Sequence, residues 1–461
     1  MPVYSDIVII GAGPAGMSAA IAATRCGLSV TVLDRQSAVG GQIYRNIEHS
    51  SSELQNFLGK HYTHGLSIAE EFHSCPAKLI TNATVWSIEN GTVNVSCNGA
   101  AMSFCSTHII IASGAVERPV AVSGWTLPNV MGAGAADLLL KDSGLTLDAP
   151  VIVYGNGPLL LQSVVHLQQL DIPIAGILLT ASYRNFISSL PCMPQALMRP
   201  TYLFEGMHMF LKTLGSKAPV FFNVRDLSLS HEDKQLMASF SRGRKSHSLS
   251  GQTVLLHEGV IPDTRLTRLT GCLHDWNSLQ RYWYPRTTCW GETTQQGVYT
   301  IGDGAAVYGA EAAALQGTLA GLECARSLKK ITKKERDKKA SATFRKLKKV
   351  TSTKPLIDTC FAPIPSKLVP TDETIVCRCE EITAGEIRKT IAQGFLTPDG
   401  IKSQLRTGMG QCQGRMCEQA ILEIIAQECA LEPESIPTYH IQPPIFPVSL
   451  GEIARTDASS N

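Results

Sequence analysis

The chain has 461 residues, of which 44% are hydrophobic and 17% charged, and its formal net charge is +2. This length predicts two to four domains with ample cores, and the composition is typical of a soluble globular protein. The charge balance gives no indication of a nucleic-acid partner. No apolar run approaches the length of a membrane span, and the first apolar stretch lacks the flanks of a signal peptide, so we expect a cytoplasmic protein without a transmembrane segment.

The first motif along the chain is a dinucleotide-binding fingerprint. An apolar strand at residues 6–10 runs into a glycine-rich turn, and an Ala-rich helix follows as far as Gly27. Gly11 makes the tight turn, Gly13 lets a pyrophosphate approach the backbone, and Gly16 lets helix and strand pack closely. A second strand delivers an acid about 20 positions later, where a carboxylate would bind a ribose 2′-hydroxyl. The predicted contacts in this part of the chain are Gly11, Gly13, Pro14, Ala15, Gly16 and Asp34.

Three further segments indicate that the dinucleotide is FAD. The segment 297–304 resembles the late strand-to-turn motif of flavoprotein reductases, whose Asp binds the ribityl chain. Residues 109–115 resemble their "ATG" strand, and residues 40–42 resemble the loop that approaches the flavin ring. Another adenine nucleotide in the first Rossmann site stays open. The resemblance adds these predicted FAD contacts: Gly41, Gln42, Val85, Ser113, Gly114, Gly302 and Asp303.

A degraded copy of the fingerprint lies in the middle of the chain. A strand at residues 150–154 leads into Gly155-Asn156-Gly157, but Leu160 replaces the third glycine and the next strand ends at Thr180 with no acid for a ribose. We expect bulk at Leu160 to keep the helix away from the strand, and NAD(P) not to bind. No Cys-x2-Cys or Cys-x4-Cys pair precedes residue 377, which excludes thiol–disulfide chemistry beside a flavin.

A basic stretch separates this part of the chain from the C-terminal region. Eleven Lys or Arg residues fall between Lys329 and Lys349, against only Glu335 and Asp337. Such a run is usually a solvated helix face or a linker. Docking to an acidic partner subunit or an anionic membrane surface is the alternative. The proline-containing stretch at residues 355–370 continues it as a linker.

Four cysteines near the C-terminus form a Cys-x-Cys and a Cys-x4-Cys pair, and the spacing most resembles a 2Fe-2S site. Zinc is the alternative, although structural zinc favours Cys-x2-Cys pairs. A capping box at residues 383–386 predicts a short helix between the pairs, and the last cysteine opens a second helix whose N-terminus would direct partial positive charge at the metal. The predicted ligands are Cys377, Cys379, Cys412 and Cys417.

Nearly the whole chain resembles the FAD-binding, iron–sulfur subunit of heteromeric amine and amino-acid dehydrogenases. This family includes the large FAD-binding subunits of opine oxidases, of hydrogen cyanide synthase and of D-hydroxyproline dehydrogenase. The cluster segment also resembles the bacterioferritin-associated ferredoxin (BFD) domain. The pattern that includes Leu160 accords with the family. The most specific matches are residues 40–45, 157–161, 376–381 and 407–417.

The resemblance implies an electron-transfer subunit with FAD and a 2Fe-2S cluster. A D-amino-acid-oxidase-like flavoprotein subunit would remove hydride from the substrate, and this chain would pass the electrons towards a respiratory acceptor. The resemblance also allows a small ferredoxin-like 2Fe-2S subunit, FMN at a subunit interface, and peripheral membrane association through the complex. The sequence assigns no catalytic residue and no substrate. A stand-alone NAD(P)H-dependent reductase and a non-catalytic iron–sulfur scaffold remain as alternatives.

The predicted fold class is α/β. It is a flavoprotein with two dinucleotide-binding domains, in which an NAD-like Rossmann domain is inserted in a Rossmann-like FAD domain, plus a small helical BFD-like 2Fe-2S domain. The predicted bounds are 1–141 and 264–328 for the FAD domain, 142–263 for the inserted domain, 329–370 for the linker, 371–432 for the 2Fe-2S domain and 433–461 for a C-terminal arm.

Overall fold

The computed structural model describes residues 3–458, so residues 1, 2 and 459–461 of the predicted FAD domain and arm lie outside the described residues. The strands are β1 (Val3–Ile10), β2 (Val30–Leu33), β3 (Lys78–Ile80), β4 (Ala83–Glu89), β5 (Thr92–Cys97), β6 (Ala100–Ile111), β7 (Ala115–Glu117), β8 (Val130–Gly132), β9 (Val151–Asn156), β10 (Ile174–Leu179), β11 (Val220–Phe222), β12 (Arg225–Glu232), β13 (Gln235–Arg242), β14 (Lys245–Gly251), β15 (Thr253–Glu258), β16 (Val260–Pro262), β17 (His274–Asn277), β18 (Tyr282–Pro285), β19 (Val298–Thr300), β20 (Ile375–Cys377) and β21 (Ile382–Thr383). The α-helices are α1 (Pro14–Thr24), α2 (Ser52–His73), α3 (Ala133–Ser143), α4 (Pro158–Gln169), α5 (Tyr183–Ser189), α6 (Met193–Ala196), α7 (Pro200–Leu214), α8 (Arg265–Leu269), α9 (Ala310–Ser327), α10 (Lys333–Val350), α11 (Lys354–Cys360), α12 (Ala384–Ala392), α13 (Pro398–Leu405), α14 (Glu418–Glu428) and α15 (Leu450–Ala458).

The first sheet carries the N-terminal fingerprint. Its order is β3-β2-β1-β6-β5-β4, and β19 pairs with β6 from far along the chain. The strands β3, β2, β1, β6 and β19 run parallel, and their interiors are apolar because helices cover both faces. Small residues let α1 and α9 approach closely: a Cβ on Gly317 would lie 2.1 Å from the Ala15 carbonyl oxygen.

A second sheet forms the inserted domain, with the all-parallel order β11-β10-β9-β15-β8. It begins upstream of the boundary predicted at residue 142, because β8 and the following α3 already belong to it. The expectation for Leu160 is wrong. Leu160 is fully buried in the core that α4 forms with Val153 and Leu255, so the larger side chain fills the space between helix and sheet rather than separating them.

The two chain crossings between these domains lie side by side as the antiparallel pair β7–β16. The fully buried Arg118 directly follows this pair. Its guanidinium donates to the carbonyl oxygens of Glu258, Gln280 and Arg281, which joins the hinge to the β17–β18 hairpin. One cation therefore connects three separate segments of the backbone.

The segment predicted as a linker, residues 329–370, is largely helical. The helix α10 begins at a capping box in which Thr332 and Glu335 bond each other's backbone N–H groups. Arg336 anchors the helix: it is buried, pairs with Glu323 and lies 3.9 Å from the centre of the Trp290 ring. The remaining ten Lys and Arg residues of the basic stretch are exposed, as a solvated helix face requires.

The 2Fe-2S region consists of the β20–β21 hairpin and the helices α12, α13 and α14. It docks on the rest of the chain through polar contacts. The Trp125 indole donates to the Ile375 carbonyl oxygen over 2.6 Å, and Arg281 binds both carboxylate oxygens of Glu423 over 2.8 and 2.5 Å.

We expect Arg281→Ala to loosen this docking. The Glu423 side chain is only 2% exposed, so removal of Arg281 leaves a buried carboxylate without its bidentate partner, at a cost of about 3–5 kcal/mol in the free energy of unfolding. Chemical denaturation and limited proteolysis around residue 371 would measure the effect. Arg286→Ala is the control, because its pair with Asp275 is solvent-exposed and contributes less than about 1 kcal/mol. Equal stabilities of the two variants would contradict the expectation.

The C-terminal residues run back across the first sheet. The Ile445 N–H donates to the Trp86 carbonyl oxygen, and Ile445 is buried in the core below β4. The ring of Phe446 lies against the guanidinium groups of Arg35, Arg265 and Arg415. Among residues 3–458, no helix combines the length and the apolar character needed to cross a membrane.

Candidate flavin and iron–sulfur sites

The fingerprint turn leaves an open space at the N-terminus of α1. A Cβ on Gly11 would lie 2.4 Å from the Ala112 carbonyl oxygen, and one on Gly16 would lie 1.9 Å from the Gly11 carbonyl oxygen, so both positions require glycine for packing. A Cβ on Gly13 would meet only the Gly41 Cα, at 3.8 Å. The residues therefore fit a pyrophosphate, which would lie in this space against the N–H groups of α1, with Pro14 and Ala15 in the first turn.

Asp34 lies at the end of β2 beside this turn and is 7% exposed. Its Oδ2 accepts from the Ala12 N–H and its Oδ1 from the Gln36 N–H. Burial raises the pKa of the Asp34 carboxyl. The side chain thus orients the fingerprint turn, and each of its oxygens keeps a lone pair on the side where the adenosine ribose is predicted.

The predicted late motif and the "ATG" strand meet at the fingerprint. A Cβ on Gly302 would lie 2.9 Å from the Ala15 Cβ, and one on Gly304 would lie 3.1 Å from the Ser113 Oγ and 3.2 Å from the Gly114 oxygen. The sequence segments that predicted FAD are therefore neighbours in space, although they are up to about 300 residues apart along the chain.

Asp303 is held in place by the loop that follows it. Its Oδ1 accepts from the N–H groups of Tyr308 and Gly309, over 2.8 and 2.9 Å. Burial raises the pKa of the Asp303 carboxyl. Among the described residues, its Oδ2 receives no hydrogen bond, which leaves an acceptor for a hydroxyl group.

The loop at residues 40–42 docks on the fingerprint through its backbone. The Gly40 N–H donates to the Ala12 carbonyl oxygen, and a Cβ on Gly41 would lie 3.0 Å from the Gly13 Cα. Gln42 is exposed at the rim. Val85 is different, because its side chain is buried in the core of the first sheet, so any contact with a cofactor would come from its backbone.

The degraded fingerprint is closed by residues of the chain itself. The His257 imidazole lies 3.2 Å from the position of a Cβ on Gly157, in the place that corresponds to the open space at Gly13. His257 is 1% exposed, and its Nδ1 lies 2.5 Å from the Glu117 Oε1. The Glu117 carboxylate also accepts from the Gly134 N–H at the start of α3. A pyrophosphate approaching Gly157 would meet an imidazole and a carboxylate instead of free N–H groups.

The ribose end of the same site is also occupied by protein groups. The Thr180 hydroxyl donates to the buried Glu258 carboxylate over 2.6 Å, and the Lys367 ammonium donates to the Thr180 carbonyl oxygen. Burial raises the pKa of Glu258 and lowers that of Lys367 to about 8. The local signal of this closure is a His-Glu pair at the end of β15, a strand that is otherwise apolar.

The four predicted cluster ligands approach each other as two pairs. Cys377 ends β20 and lies against Cys417, the N-cap of α14, with both residues buried. The hydrogen bond from Cys417 and the N–H groups of the 377–380 turn lower the pKa of Cys377 to about 6. Cys379 and Cys412, the more exposed pair, also lie within hydrogen-bonding distance of each other.

Two pairs suit a two-iron cluster, in which each iron takes two thiolates, better than one zinc ion with four. Within the described residues, no three His, Cys, Asp or Glu side chains come together tightly enough to hold a single metal ion. Glycine supports the geometry: a Cβ on Gly410 would lie 2.2 Å from the Cys379 Cβ. Arg415 lies beside the site and donates to the Cys412 carbonyl oxygen.

Tyr439 completes the site and was not predicted. It comes from the C-terminal arm, and its hydroxyl donates to the Thr407 Oγ1 over 3.0 Å and lies 3.9 Å from the Cys417 Sγ. Its ring packs on the backbone of Gly408 and Gly414, both at positive φ. An aromatic residue 22 positions from Cys417 offers no local signal of this contact.

Family comparisons agree with both ends of the chain. The BFD-like 2Fe-2S binding domain family matches residues 375–427, and the pyridine nucleotide-disulphide oxidoreductase family matches residues 5–161. These matches imply a flavin and a 2Fe-2S cluster. The crystal structure of L-proline dehydrogenase from P. horikoshii has a similar fold, with a TM-score of 0.72 and 16% identity over 98% of this chain and 80% of that chain. The predicted fold class is confirmed.

The curated relatives extend over nearly the full length. The large subunit of opine oxidase from Agrobacterium tumefaciens is 37% identical over 98% of this chain and 92% of that protein. The HcnB subunit of hydrogen cyanide synthase from Pseudomonas protegens is 27% identical over 89% of each chain. Both names describe subunits of oxidoreductases, and the predicted resemblance is confirmed. This chain belongs to the opine oxidase family of large flavin and iron–sulfur subunits of oxidoreductases.

Proposed function

We propose that this chain is the electron-transfer subunit of a multi-subunit amine or amino-acid dehydrogenase, with FAD at the fingerprint and a 2Fe-2S cluster at the four cysteines. It accepts electrons from a D-amino-acid-oxidase-like partner that oxidises a substrate of the opine, hydroxyproline or glycine type. The relatives named as subunits support the existence of a partner. The observation that carries the proposal is the contrast between the open space at Gly13 and the imidazole at Gly157.

The contrast supports an electron donor other than a nicotinamide cofactor. NAD(P)H would have to displace His257, which is buried and hydrogen-bonded to Glu117, and would bring its phosphates towards that carboxylate. Loss of a buried hydrogen bond to a charged group costs about 1.5–3 kcal/mol, before any repulsion is counted. The electrons therefore come from another source, and a partner subunit that oxidises the substrate itself supplies them.

The chain's own residues bind and orient the cofactors. The N–H groups at the start of α1 receive the pyrophosphate, and the carboxylates of Asp34 and Asp303 accept hydroxyl groups of the ribose and the ribityl chain. The cysteine pairs hold the two irons, and Tyr439 shields the inner pair from water. When bound, a flavin takes two electrons and can release them singly, whereas a 2Fe-2S cluster carries one at a time.

Two further parts of the proposal come from the family resemblance alone. FMN at a subunit interface and a small ferredoxin-like 2Fe-2S subunit would extend the path between the partner's flavin and this chain. A respiratory acceptor would complete it. Cofactor analysis of the native complex, with FAD and FMN separated by chromatography, tests the first of these directly.

We expect NADH and NADPH at micromolar concentration to leave the flavin of the isolated chain oxidised. The reason is the occupied site at Gly157, and anaerobic stopped-flow absorbance measures the result. Dithionite is the positive control, because it reduces flavins without a binding site. Addition of the oxidase-like partner and an imino-acid, opine or related amine substrate should then bleach the flavin. Rapid bleaching by NADH alone, with no gain from the partner, would establish the stand-alone reductase instead.

A further inference from the structure

The inserted domain has a large apolar surface formed by α5, α6 and α7. Its side chains are exposed by 41–75%, and about half of the exposed large apolar side chains in the described part of the chain belong to it. We call residues 183–214 the helical face. Its exposed apolar members are Tyr183, Phe186, Ile187, Leu190, Leu197, Met198, Phe204, Met207, Leu211 and Leu214.

The longest helix of this face is apolar on two sides. The inner side of α7 packs on α4, where the Gln168 side chain donates to the Lys212 carbonyl oxygen and Thr213 is fully buried. The outer side carries Phe204, Met207 and Leu211 at helical spacing, and each is more than half exposed. A surface helix of a monomeric protein normally turns polar side chains outward, so this second stripe indicates an uncovered contact surface.

The helices form one continuous surface. Phe222 at the end of β11 has the Tyr183 ring stacked on it at 6.3 Å and the Phe210 ring at 6.5 Å, which joins α5 to α7. Large side chains of this kind have areas of about 150–250 Å², so the ten together expose on the order of 1,000 Å². The largest apolar patch of a typical monomer is about 300–600 Å², whereas a stable interface takes about 800 Å² from each partner.

The surroundings of the helical face indicate what covers it. Arg199 at the start of α7 pairs with Glu311 and donates to the Val350 carbonyl oxygen, so the face borders the C-terminal end of the basic helix α10. The exposed Lys346, Lys348 and Lys349 lie at that end. A protein seated on the face would meet an apolar centre with a cationic border.

The opposite border leads to the predicted flavin. Glu205 of α7 lies 3.1 Å from His61 of α2, and α2 packs on Tyr44, since a Cβ on Gly65 would lie 2.5 Å from the Tyr44 ring. Tyr44 follows closely after the loop at residues 40–42. An electron donor on the helical face would therefore extend to the side of the chain where the flavin ring is predicted.

We propose that the helical face binds the substrate-oxidising partner subunit, through an apolar patch on the partner that is bordered by acidic residues. The inference rests on the proposed function and adds the surface on which the two subunits meet. Aromatic residues and Met are enriched at protein interfaces, and the cationic border supplies charge complementarity for association. A membrane fits less well, because interfacial helices are rich in Lys and Arg, whereas α7 contains one Lys and one Glu.

The test compares the wild-type chain with Phe204→Asp/Leu211→Asp, two exposed positions at which Asp does not disturb the core. The control is Leu273→Asp/Leu431→Asp, at two exposed leucines outside the helical face. Each tagged full-length chain is purified from its own host, and mass spectrometry identifies and quantifies a D-amino-acid-oxidase-like subunit. We expect the wild type and the control to retain it, and the affinity of the helical-face variant to fall by at least about 30-fold, with flavin and iron content unchanged.

Failure of this inference differs from failure of the proposed function. A wild-type chain that recovers no oxidase-like subunit contradicts the proposed function. A wild type and a helical-face variant that recover it equally overturn only the docking surface. Two measurements on the isolated chain identify other occupants: binding to vesicles of phosphatidylcholine and phosphatidylglycerol, and dimerisation in sedimentation. If the variant abolishes either one while keeping the partner, the face binds lipid or a second copy, and the inference is wrong.

Discussion

Replacement of Cys412 by Ser is expected to abolish the 2Fe-2S signal of this chain while leaving its flavin bound. Cys412 and Cys379 form one of two thiol pairs, and each iron needs both thiolates of its pair, because a hydroxyl is a poor ligand for iron in such a cluster. The fingerprint lies on a different sheet and does not depend on the cluster. Iron analysis and electron paramagnetic resonance of the reduced protein measure the loss, and flavin absorbance measures what is retained.

The same result is expected for Cys377→Ser, Cys379→Ser and Cys417→Ser. The control is Cys429→Ser, because Cys429 lies at the end of α14 in the same domain but outside both pairs. A full cluster in the Cys412 variant would refute the ligand assignment. Stoichiometric zinc in place of iron in protein purified without oxygen would favour the structural zinc site that the spacing left open.

Gly13→Val is expected to yield folded protein without flavin. Gly13 has φ −75°, which any residue adopts, and a Cβ there meets only ordinary van der Waals contact, so the backbone tolerates the substitution. The added methyl groups fill the space that the pyrophosphate needs. Asp303→Ala should also deplete the flavin, because it removes the acceptor for the ribityl chain. Flavin absorbance per protein and circular dichroism separate loss of cofactor from loss of fold.

Gly206→Val is the matched control for Gly13→Val, since its Cβ would enter open space on α7, far from the fingerprint. It should retain stoichiometric flavin. Gly16→Ala gives a contrasting result: a Cβ 1.9 Å from the Gly11 oxygen would prevent α1 from packing on β1, so unfolding is expected rather than an empty site. If both Gly13→Val and Asp303→Ala keep FAD, this Rossmann unit binds another adenine nucleotide or the flavin lies elsewhere.

The sequence predicted those parts of the structure that depend on local patterns. The capping box at Thr383 and Glu386 starts α12, and Cys417 is the N-cap of α14. The glycine spacing of the fingerprint likewise predicted the β1–α1 turn, because strand, turn and helix follow one another along the chain. The capping box at Thr332 was just as local, but the density of like charge favoured a linker. Burial of Arg336 against Glu323 and Trp290 stabilises the helix there.

The rest depended on contacts between distant segments. The sequence showed that Leu160 departs from the glycine pattern, but not that a core between sheet and helix would accommodate it. His257 closes the degraded site through Glu117, 140 positions away, and Tyr439 reaches the cysteines from an arm without regular structure. The helical face has a similar cause: an amphipathic pattern identifies an apolar stripe, but only the folded chain shows which stripe remains uncovered.

The guanidinium of Arg118 has a consequence for how the parts of the molecule move. It holds the hinge, and the β17–β18 hairpin that it binds is joined to the 2Fe-2S domain by the pair of Arg281 with Glu423. Rotation of the inserted domain would break several hydrogen bonds of one buried cation, each worth about 1.5–3 kcal/mol. The inserted domain and the iron–sulfur domain are thus coupled as one rigid body. Electrons crossing the chain travel between centres at a fixed separation, without a swinging domain to carry them.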